Sequence, residues 1–538
     1  MMTRYLLALS LPLSLLLGAA PAWSELPPGF EARVEAIRRS SETPGMALAV
    51  VENGKVVLAK GFGVRRLGSP AKVDADTLFM IGSTGKAFTT AALATLVDAG
   101  KIGWDDRVID HLPAFQMYDA WVTREMTVRD LLVHRSGLGL GAGDLLMVPR
   151  GKLSRAEVVR RLRYLKPAKS FRSQYAYDNI LYIVAGQLIE AVSGQSWEDY
   201  MRDHVFRPAG LPDATAEMAR QLSAPDRAQP HGRVGGPVRG TGPIAMLDER
   251  DRLGQAGAPA GLIAASANDM ARWLQIQLGH GALPGGKGAR LFSEAAAAEM
   301  WTPVTPMPIE PYPAPVSGIT PTYQAYALGW DVRDYHGAKI IWHAGGLFGF
   351  TTVVAMIPEK NVGFAIAVNS EEIEPRYGLM YELLDHYLGL PKQDWATRFG
   401  EFKRNRIAAA EAAVRQQAAA ASTTGARAGA GASPSLPLAR YAGRYVDPWY
   451  GTLAVGSEPE GLTVDFTTTP RMTGRLEHYR YDTFVARFDD PSIEPAYLTF
   501  ALDAEGKVAR ITARPVSPIA DFSFDYKDLD FAPEGAVK

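Results

Sequence analysis

The sequence has no cysteine among its 538 residues. Disulfide bridges, catalysis by a thiol, a zinc site built on thiolates and a lipid-modified cysteine are therefore excluded. The histidines are scattered without the short spacings typical of metal ligands, so we predict no metal and no cofactor. A chain of this length can instead be stabilised by its hydrophobic core, even outside the cell.

An excess of charge of one sign is also lacking, because the formal net charge is only −1. Electrostatics therefore favours neither nucleic acid nor an anionic membrane as a partner. Apolar residues make up 47% of the chain and charged residues 21%, as in soluble globular proteins. The length predicts two or more domains, and the sequence leaves the oligomeric state open.

Long apolar runs are absent except at the N-terminus. There, Arg4 precedes the leucine-rich run Tyr5–Leu17, which is shorter than the ~20 residues that cross a bilayer. Small residues at Ala20–Ala22 or Ala22–Ser24 suit signal cleavage. We expect a signal peptide over residues 1–24, a periplasmic or secreted location, and no membrane contact after its removal. An uncleaved anchor is the alternative.

Residues 25–403 alternate between β and helical periods. Two apolar runs around an Asn-Gly pair predict a hairpin over Met46–Gly63, and an apolar run predicts a helix over Thr84–Ala99. A hairpin, many helices and then strands indicate an α+β domain whose antiparallel sheet collects strands from both ends. The later strands are predicted at Ala325–Val332, Lys339–His343, Phe350–Ile357 and Val362–Val368.

The rest of the chain separates into two parts. Residues 404–437 are dominated by Ala, Gly, Ser, Thr and Arg. The alanine-rich first part can form a helix, and the remainder has the composition of a flexible linker. Residues 438–538 contain short alternating runs between turn residues, which predicts a small all-β barrel or sandwich.

Ser83 and Lys86 form a Ser-x-x-Lys motif at the start of a predicted helix. Residues three apart share one face of a helix, so the amine can lie beside the hydroxyl. A partly desolvated amine can lose its charge and accept the serine proton, which activates the nucleophile. The pattern recurs at Ser69 and Lys72, but in a polar stretch with no helix behind it. Ser83 is the better candidate, although an N-capping serine also fits that position.

Tyr177 and Asn179 form the only Tyr-x-Asn motif in the chain. A tyrosine beside a lysine can have its pKa lowered and relay protons, and an asparagine two residues on can bond a substrate amide. A buried aromatic residue followed by a helix cap would give the same pattern.

His343, Gly345 and Gly346 end an apolar strand and enter a glycine-rich turn. Glycines there let a substrate backbone approach the strand edge, and a backbone amide can complete an oxyanion hole. The alternative is that the glycines only make the turn and that His343 is an exposed strand residue.

These three motifs occur in the order of the Ser-x-x-Lys, Ser-Asp-Asn and Lys-Thr-Gly set of penicillin-binding enzymes and class A β-lactamases. With flanking stretches such as Thr127–Leu138, Tyr177–Ile189 and His343–Phe350, they resemble the class C β-lactamase branch of that superfamily. That branch includes DD-peptidases, D-aminopeptidases and esterases. The resemblance covers Phe30–Leu390, and the tail from Leu438 is similar to a β-barrel domain often appended to such hydrolases.

The resemblance implies an antiparallel sheet flanked by helices, with an additional all-helical subdomain. It implies that Ser83 is the acylated nucleophile and that Lys86 and Tyr177 share general acid/base work. The amides of Ser83 and Gly346 would form the oxyanion hole. The substrate-binding residues would be Asn179, His343, Gly345 and Gly346.

His343 stands where the family usually has a lysine. A lysine there gives a permanent cation for a β-lactam carboxylate, whereas histidine is largely neutral at neutral pH. In the family, histidine here is more usual in peptidases and esterases. We therefore predict an exported serine hydrolase that acts through an acyl-enzyme on small peptides, including those with D- or non-standard residues. The alternatives are a carboxylesterase, a β-lactamase acting on a lactam, and a catalytically silent penicillin-binding or sensor protein.

Overall fold

The computed structural model describes residues 26–249, 253–428 and 433–535, so the expected signal peptide lies outside the described residues. Within these ranges, no helix combines the length and the apolar character needed to cross a bilayer.

An antiparallel sheet of eight strands forms the centre of the first domain, which confirms the predicted α+β class. It begins with the predicted hairpin, whose turn residues Asn53 and Gly54 both have positive φ angles, 49° and 74°. The strand Gly45–Glu52 pairs with Val362–Val368, so the two ends of the domain meet in one sheet. In spatial order the strands are Lys55–Gly63, Gly45–Glu52, Val362–Val368, Phe350–Ile357, Ala338–Leu347, Asp331–Tyr335, Gln324–Tyr326 and Thr305–Pro306.

Both faces of this sheet are covered. Side chains alternate along a strand, so Met46, Leu48 and Val50 point to one face and pack with the helices Phe30–Ser40 and Leu379–Leu388. The opposite face packs on the helices Lys86–Asp98 and Ala267–Leu278. The other helices of the domain are Val108–His111, Ala120–Glu125, Arg155–Arg161, Ile180–Ser193, Trp197–Tyr200, Arg207–Ala209, Met218–Ser223, Ala258–Gly261 and Glu294–Met300.

One predicted strand is divided in two. Residues Ala325–Val332 contribute to the separate strands Gln324–Tyr326 and Asp331–Tyr335. The break lies at Gly329, where φ is 84° and an added Cβ would lie 2.8 Å from the hydroxyl oxygen of Thr90. The chain turns there because only glycine permits both the positive φ and this close approach to the helix below.

The alanine-rich segment is more helical than its composition indicated. One helix spans Trp395–Ala428, which includes the expected helical part and continues into the segment expected to be a flexible linker. Alanine has the highest intrinsic helix propensity, and Trp395 and Phe399 anchor the first turns in the core.

The C-terminal region is a closed barrel, which decides between the two predicted all-β forms. Buried aromatic rings, including Tyr441, Phe466 and Phe500, fill its interior. The strands are Gly443–Asp447, Gly451–Glu458, Gly461–Phe466, Thr473–Arg480, Thr483–Phe488, Ala496–Leu502, Val508–Pro515 and Asp530–Pro533. We refer to residues 516–529, between the last two strands, as the 516–529 segment. It packs against the first domain.

The strand Ala338–Leu347 crosses the short 3₁₀ turn Gly82–Gly85 in very close contact. A Cβ added at Gly345 would lie 2.1 Å from the carbonyl oxygen of Ile81 and 2.2 Å from the hydroxyl of Thr352. That hydroxyl donates a 2.7 Å hydrogen bond to the same carbonyl. The absence of a side chain at Gly345 therefore fixes the distance between strand and turn.

We predict that Gly345→Ala destabilises the protein by about 1–3 kcal/mol, the usual effect of overpacking a core. Gly346→Ala is the matched control, because an added Cβ there meets no atom of the described residues within 4 Å. Thermal unfolding of both variants should show a lower midpoint for Gly345→Ala only. Equal midpoints would contradict the close packing.

Candidate active site

Ser83 lies on the 3₁₀ turn that leads directly into the helix Lys86–Asp98. The Nζ atom of Lys86 is 3.1 Å from the Oγ atom of Ser83, so the three-residue spacing brings the two side chains together. The hydroxyl opens into a cavity, whereas the lysine is completely buried. At the alternative motif, Ser69 and Lys72 lie in a loop and the lysine is exposed.

The amine of Lys86 has two further partners, both oxygen acceptors. It lies 2.7 Å from Oδ1 of Asn179 and 2.8 Å from the carbonyl oxygen of Ala260. A neutral amine has two hydrogens and one lone pair. If those hydrogens go to the two acceptors, the lone pair faces the Ser83 hydroxyl and can accept its proton.

The environment of Lys86 favours that neutral form. Burial lowers the pKa of the amine to about 7, with the negative charges of Asp144 and Asp178 acting in the opposite direction. A substantial fraction of the protein therefore carries an uncharged Lys86 at neutral pH, the condition for a general base.

Tyr177 lies beside Ser83 and Lys86. Its ring centre is 4.9 Å from the Lys86 amine, and the Ser83 hydroxyl partly offsets the effect of burial on the pKa of Tyr177. The sequence predicts that a tyrosine beside a lysine can have its pKa lowered, but burial instead raises the pKa of Tyr177 well above its ordinary value. The phenol of Tyr177 therefore stays protonated at neutral pH and can donate a hydrogen bond.

Asn179 is placed by the first turn of the helix Ile180–Ser193, but its side chain does not cap that helix. Its amide nitrogen donates a 2.8 Å hydrogen bond to Oδ2 of Asp144, while its oxygen faces Lys86. Asn179 thus links Lys86 to a buried carboxylate.

His343 is buried beneath the site rather than exposed on the strand. Its Nδ1 lies 2.6 Å from the carbonyl oxygen of Ala344, which can only accept, so Nδ1 carries the proton. Nε2 therefore accepts the 2.8 Å hydrogen bond from the hydroxyl of Tyr326. Burial lowers the pKa of His343 to about 3, so the ring is neutral at physiological pH.

Gly345 and Gly346 differ in their positions. Gly345 is buried in the contact with Ile81, whereas Gly346 is exposed and lines the same cavity as Ser83. A Cβ added at Gly82 would lie 2.8 Å from the amide nitrogen of Gly346. The Gly346 amide is therefore adjacent to the turn that holds Ser83.

The cavity at Ser83 has a volume of about 340 Å³ and is lined by residues of both domains. Ile519 and Asp521 of the barrel line it together with Asn179 and Gly346. The sequence does not point to three residues that contact the predicted site or its partners: Asp144 contacts Asn179, Tyr326 contacts His343, and Ser523 contacts Asp144. None of them belongs to a recognisable motif. Among the described residues, no group of His, Asp and Glu side chains is suited to hold a metal ion.

The family model described as Beta-lactamase matches residues 30–389. The chain belongs to the β-lactamase family of serine hydrolases. This confirms the family resemblance. A second family model, a domain of unknown function (DUF3471), matches residues 427–533.

Relatives of this family member include hydrolases and penicillin-binding proteins. Unguisins hydrolase ungD' of Aspergillus campestris is 30% identical over 77% of this chain and 74% of its own length. Penicillin-binding protein 4 of Amycolatopsis lactamdurans is 30% identical over 63% of this chain and 84% of its own.

Two solved structures share the fold of this family member. The octameric penicillin-binding protein homologue from Pyrococcus abyssi has a TM-score of 0.58 and 20% identity, covering 90% of this chain and 97% of its own. The class C β-lactamase from Rhodobacter sphaeroides has a TM-score of 0.51 and 21% identity, covering 67% of this chain and all of its own.

We predict that the rate at which a fluorophosphonate labels Ser83 falls as the pH is lowered through about 7, the pKa of Lys86. Protonated Lys86 has no lone pair to accept the serine proton, so the active form is the one present at higher pH. Lys86→Arg, which stays charged, should label about 10²–10⁴ times more slowly at every pH. A wild-type rate that does not change between pH 5 and 9 would contradict this assignment.

Proposed function

We propose that this protein is an exported serine hydrolase that forms an acyl-enzyme on Ser83 and cleaves small peptides, including those with D- or non-standard residues. One observation carries the proposal. The buried amine of Lys86 has two oxygen acceptors for its hydrogens, so its lone pair is available to Ser83.

The proposed reaction has two steps. Ser83 Oγ bonds to the substrate carbonyl carbon while its proton moves to Lys86 Nζ, and the amides of Ser83 and Gly346 hold the oxyanion. The carbon–nitrogen bond then breaks as Tyr177 relays that proton to the leaving amine. Water attacks the ester in the second step and gives a proton to Lys86, which returns it to Ser83 as the acid leaves.

The choice of peptides over β-lactams rests on the charge that the strand Ala338–Leu347 presents near the site. His343 is neutral and buried, so it offers no cation to a substrate carboxylate. Several cationic side chains line the cavity. Three of them are already paired with protein groups, which compete with a substrate carboxylate for their charge. These pairs are Arg239 with Glu371, Lys403 with Glu372, and Arg376 with the carbonyl oxygen of Gly345. The relatives named unguisins hydrolases support turnover rather than binding alone.

We predict that Ser83→Ala abolishes both turnover and covalent labelling by a fluorophosphonate or penicillin probe, because the acylated oxygen is absent. Ser69→Ala is the matched control, since it removes the serine of the alternative Ser-x-x-Lys motif. It should label and turn over like the wild type. Intact mass spectrometry of the labelled proteins makes the comparison, and retained labelling in Ser83→Ala would refute the mechanism.

We predict that D-aminoacyl anilides are cleaved with a kcat/KM at least about tenfold above that for nitrocefin. The neutral His343 gives the lactam carboxylate no charge-assisted contact, and the loss of such a contact is worth roughly that factor. The measurement is a panel of D- and L-aminoacyl anilides, p-nitrophenyl esters and nitrocefin on one enzyme preparation. Turnover dominated by the esters would favour a carboxylesterase, and turnover dominated by nitrocefin would favour a β-lactamase. Either result would overturn the proposed substrate class.

A further inference from the structure

The 516–529 segment of the barrel reaches the catalytic machinery of the first domain. The hydroxyl of Ser523 donates a 2.8 Å hydrogen bond to Oδ2 of Asp144. The neighbouring Asp525 accepts a 2.8 Å hydrogen bond from the backbone amide of Gly143. The ring of Phe522 lies 5.7 Å from that of Tyr177, edge to face. The barrel therefore touches residues that surround the nucleophile and its base.

Asp144 is the point at which the two domains meet behind Lys86. Its carboxylate is completely buried. One oxygen, Oδ2, accepts hydrogen bonds from both the Asn179 amide and the Ser523 hydroxyl, and the other has no partner among the described residues. The position of this carboxylate thus depends on those two donors, of which one comes from each domain.

The carboxylate in turn determines how the Asn179 amide is oriented. With the amide nitrogen toward Asp144, the amide oxygen faces Lys86 and takes one of its hydrogens. The reversed amide would set two oxygens against each other and would direct an N–H group at the lysine lone pair. That N–H group would compete with Ser83 for the base. Only the observed orientation leaves the lone pair to the nucleophile.

Ser523 helps to keep Asp144 an acceptor. Burial raises the pKa of Asp144 to about 7, and the hydrogen bonds from Asn179 and Ser523 act against that rise. Without the serine hydroxyl, Asp144 takes up a proton more readily. Its own O–H group could then donate to the Asn179 oxygen, which permits the reversed amide.

We propose that Ser523 of the barrel is a positioning residue of the active site, which acts through Asp144 to hold the Asn179 amide so that the lone pair of Lys86 faces only Ser83. The inference rests on the proposed function, because it assumes that Lys86 is the base for Ser83. It also means that the first domain alone lacks one donor of its own catalytic network.

The test compares Ser523→Ala with Thr469→Val in the full chain. Thr469 is a second barrel hydroxyl that crosses the interface, donating to the carbonyl oxygen of Leu145 at 3.1 Å. We expect Ser523→Ala to lower kcat and the fluorophosphonate labelling rate about tenfold, the effect of one lost buried hydrogen bond, with KM changed less than about twofold. Thr469→Val should leave kcat unchanged.

Ser523→Thr and Ser523→Val form a second matched pair, because their side chains are similar in shape and only threonine keeps the hydroxyl. The threonine variant should be faster than the valine variant by a similar factor, even if the alanine variant does not fold. Wild-type kcat in Ser523→Ala, equal rates in the threonine and valine variants, or an equal loss in Thr469→Val would each overturn the proposal.

The failure of the underlying function gives a different result. If the wild type itself is neither labelled nor active, the proposed serine hydrolase is wrong. A double-mutant cycle separates the remaining explanations. Adding Ser523→Ala to Asp144→Asn should cause little further loss, because the serine acts through that carboxylate. Fully additive losses would show that Ser523 acts by another route and would overturn the proposal.

Discussion

The arrangement of the active site depends on one buried amine surrounded by oxygen acceptors. Removing Lys86 from water favours its uncharged form, and the nearby carboxylates Asp144 and Asp178 limit that effect. The carbonyl oxygen of Ala260 and the amide oxygen of Asn179 then take its hydrogens. An uncharged amine can accept a proton without the help of a histidine, and the ring of His343 lies in the core as a neutral group.

The fold brings these groups together from distant parts of the chain. The turn Gly82–Gly85 and the helix after it supply Ser83 and Lys86, and Asn179, directly before the helix Ile180–Ser193, supplies the amide that faces them. The strand Ala338–Leu347 can pack closely against this turn because Gly345 has no side chain. The 516–529 segment of the barrel then closes the back of the network at Asp144. Residues of both domains therefore line the candidate site.

Local sequence patterns predict much of this arrangement. The Asn-Gly hairpin, the apolar helices and the strands Phe350–Ile357 and Val362–Val368 follow from periodicity and turn residues, as does the proximity of Ser83 and Lys86 from their spacing. Contacts between distant segments do not follow from such patterns. Neither Asp144 nor Ser523 belongs to a recognisable sequence motif. The two side chains meet only because the barrel packs against the first domain. The raised pKa of Tyr177 and the buried His343 likewise result from tertiary packing.

Direct titration of Lys86 tests the uncharged base most directly. The Nζ and Cε resonances of isotopically labelled lysine can be followed by NMR from pH 5 to pH 11, with Lys86→Arg used to assign the signal. A midpoint near 7 is expected, because burial lowers the pKa to about that value. A midpoint at about 10, the ordinary value for a lysine, would show that the amine remains charged at neutral pH and cannot accept the proton of Ser83.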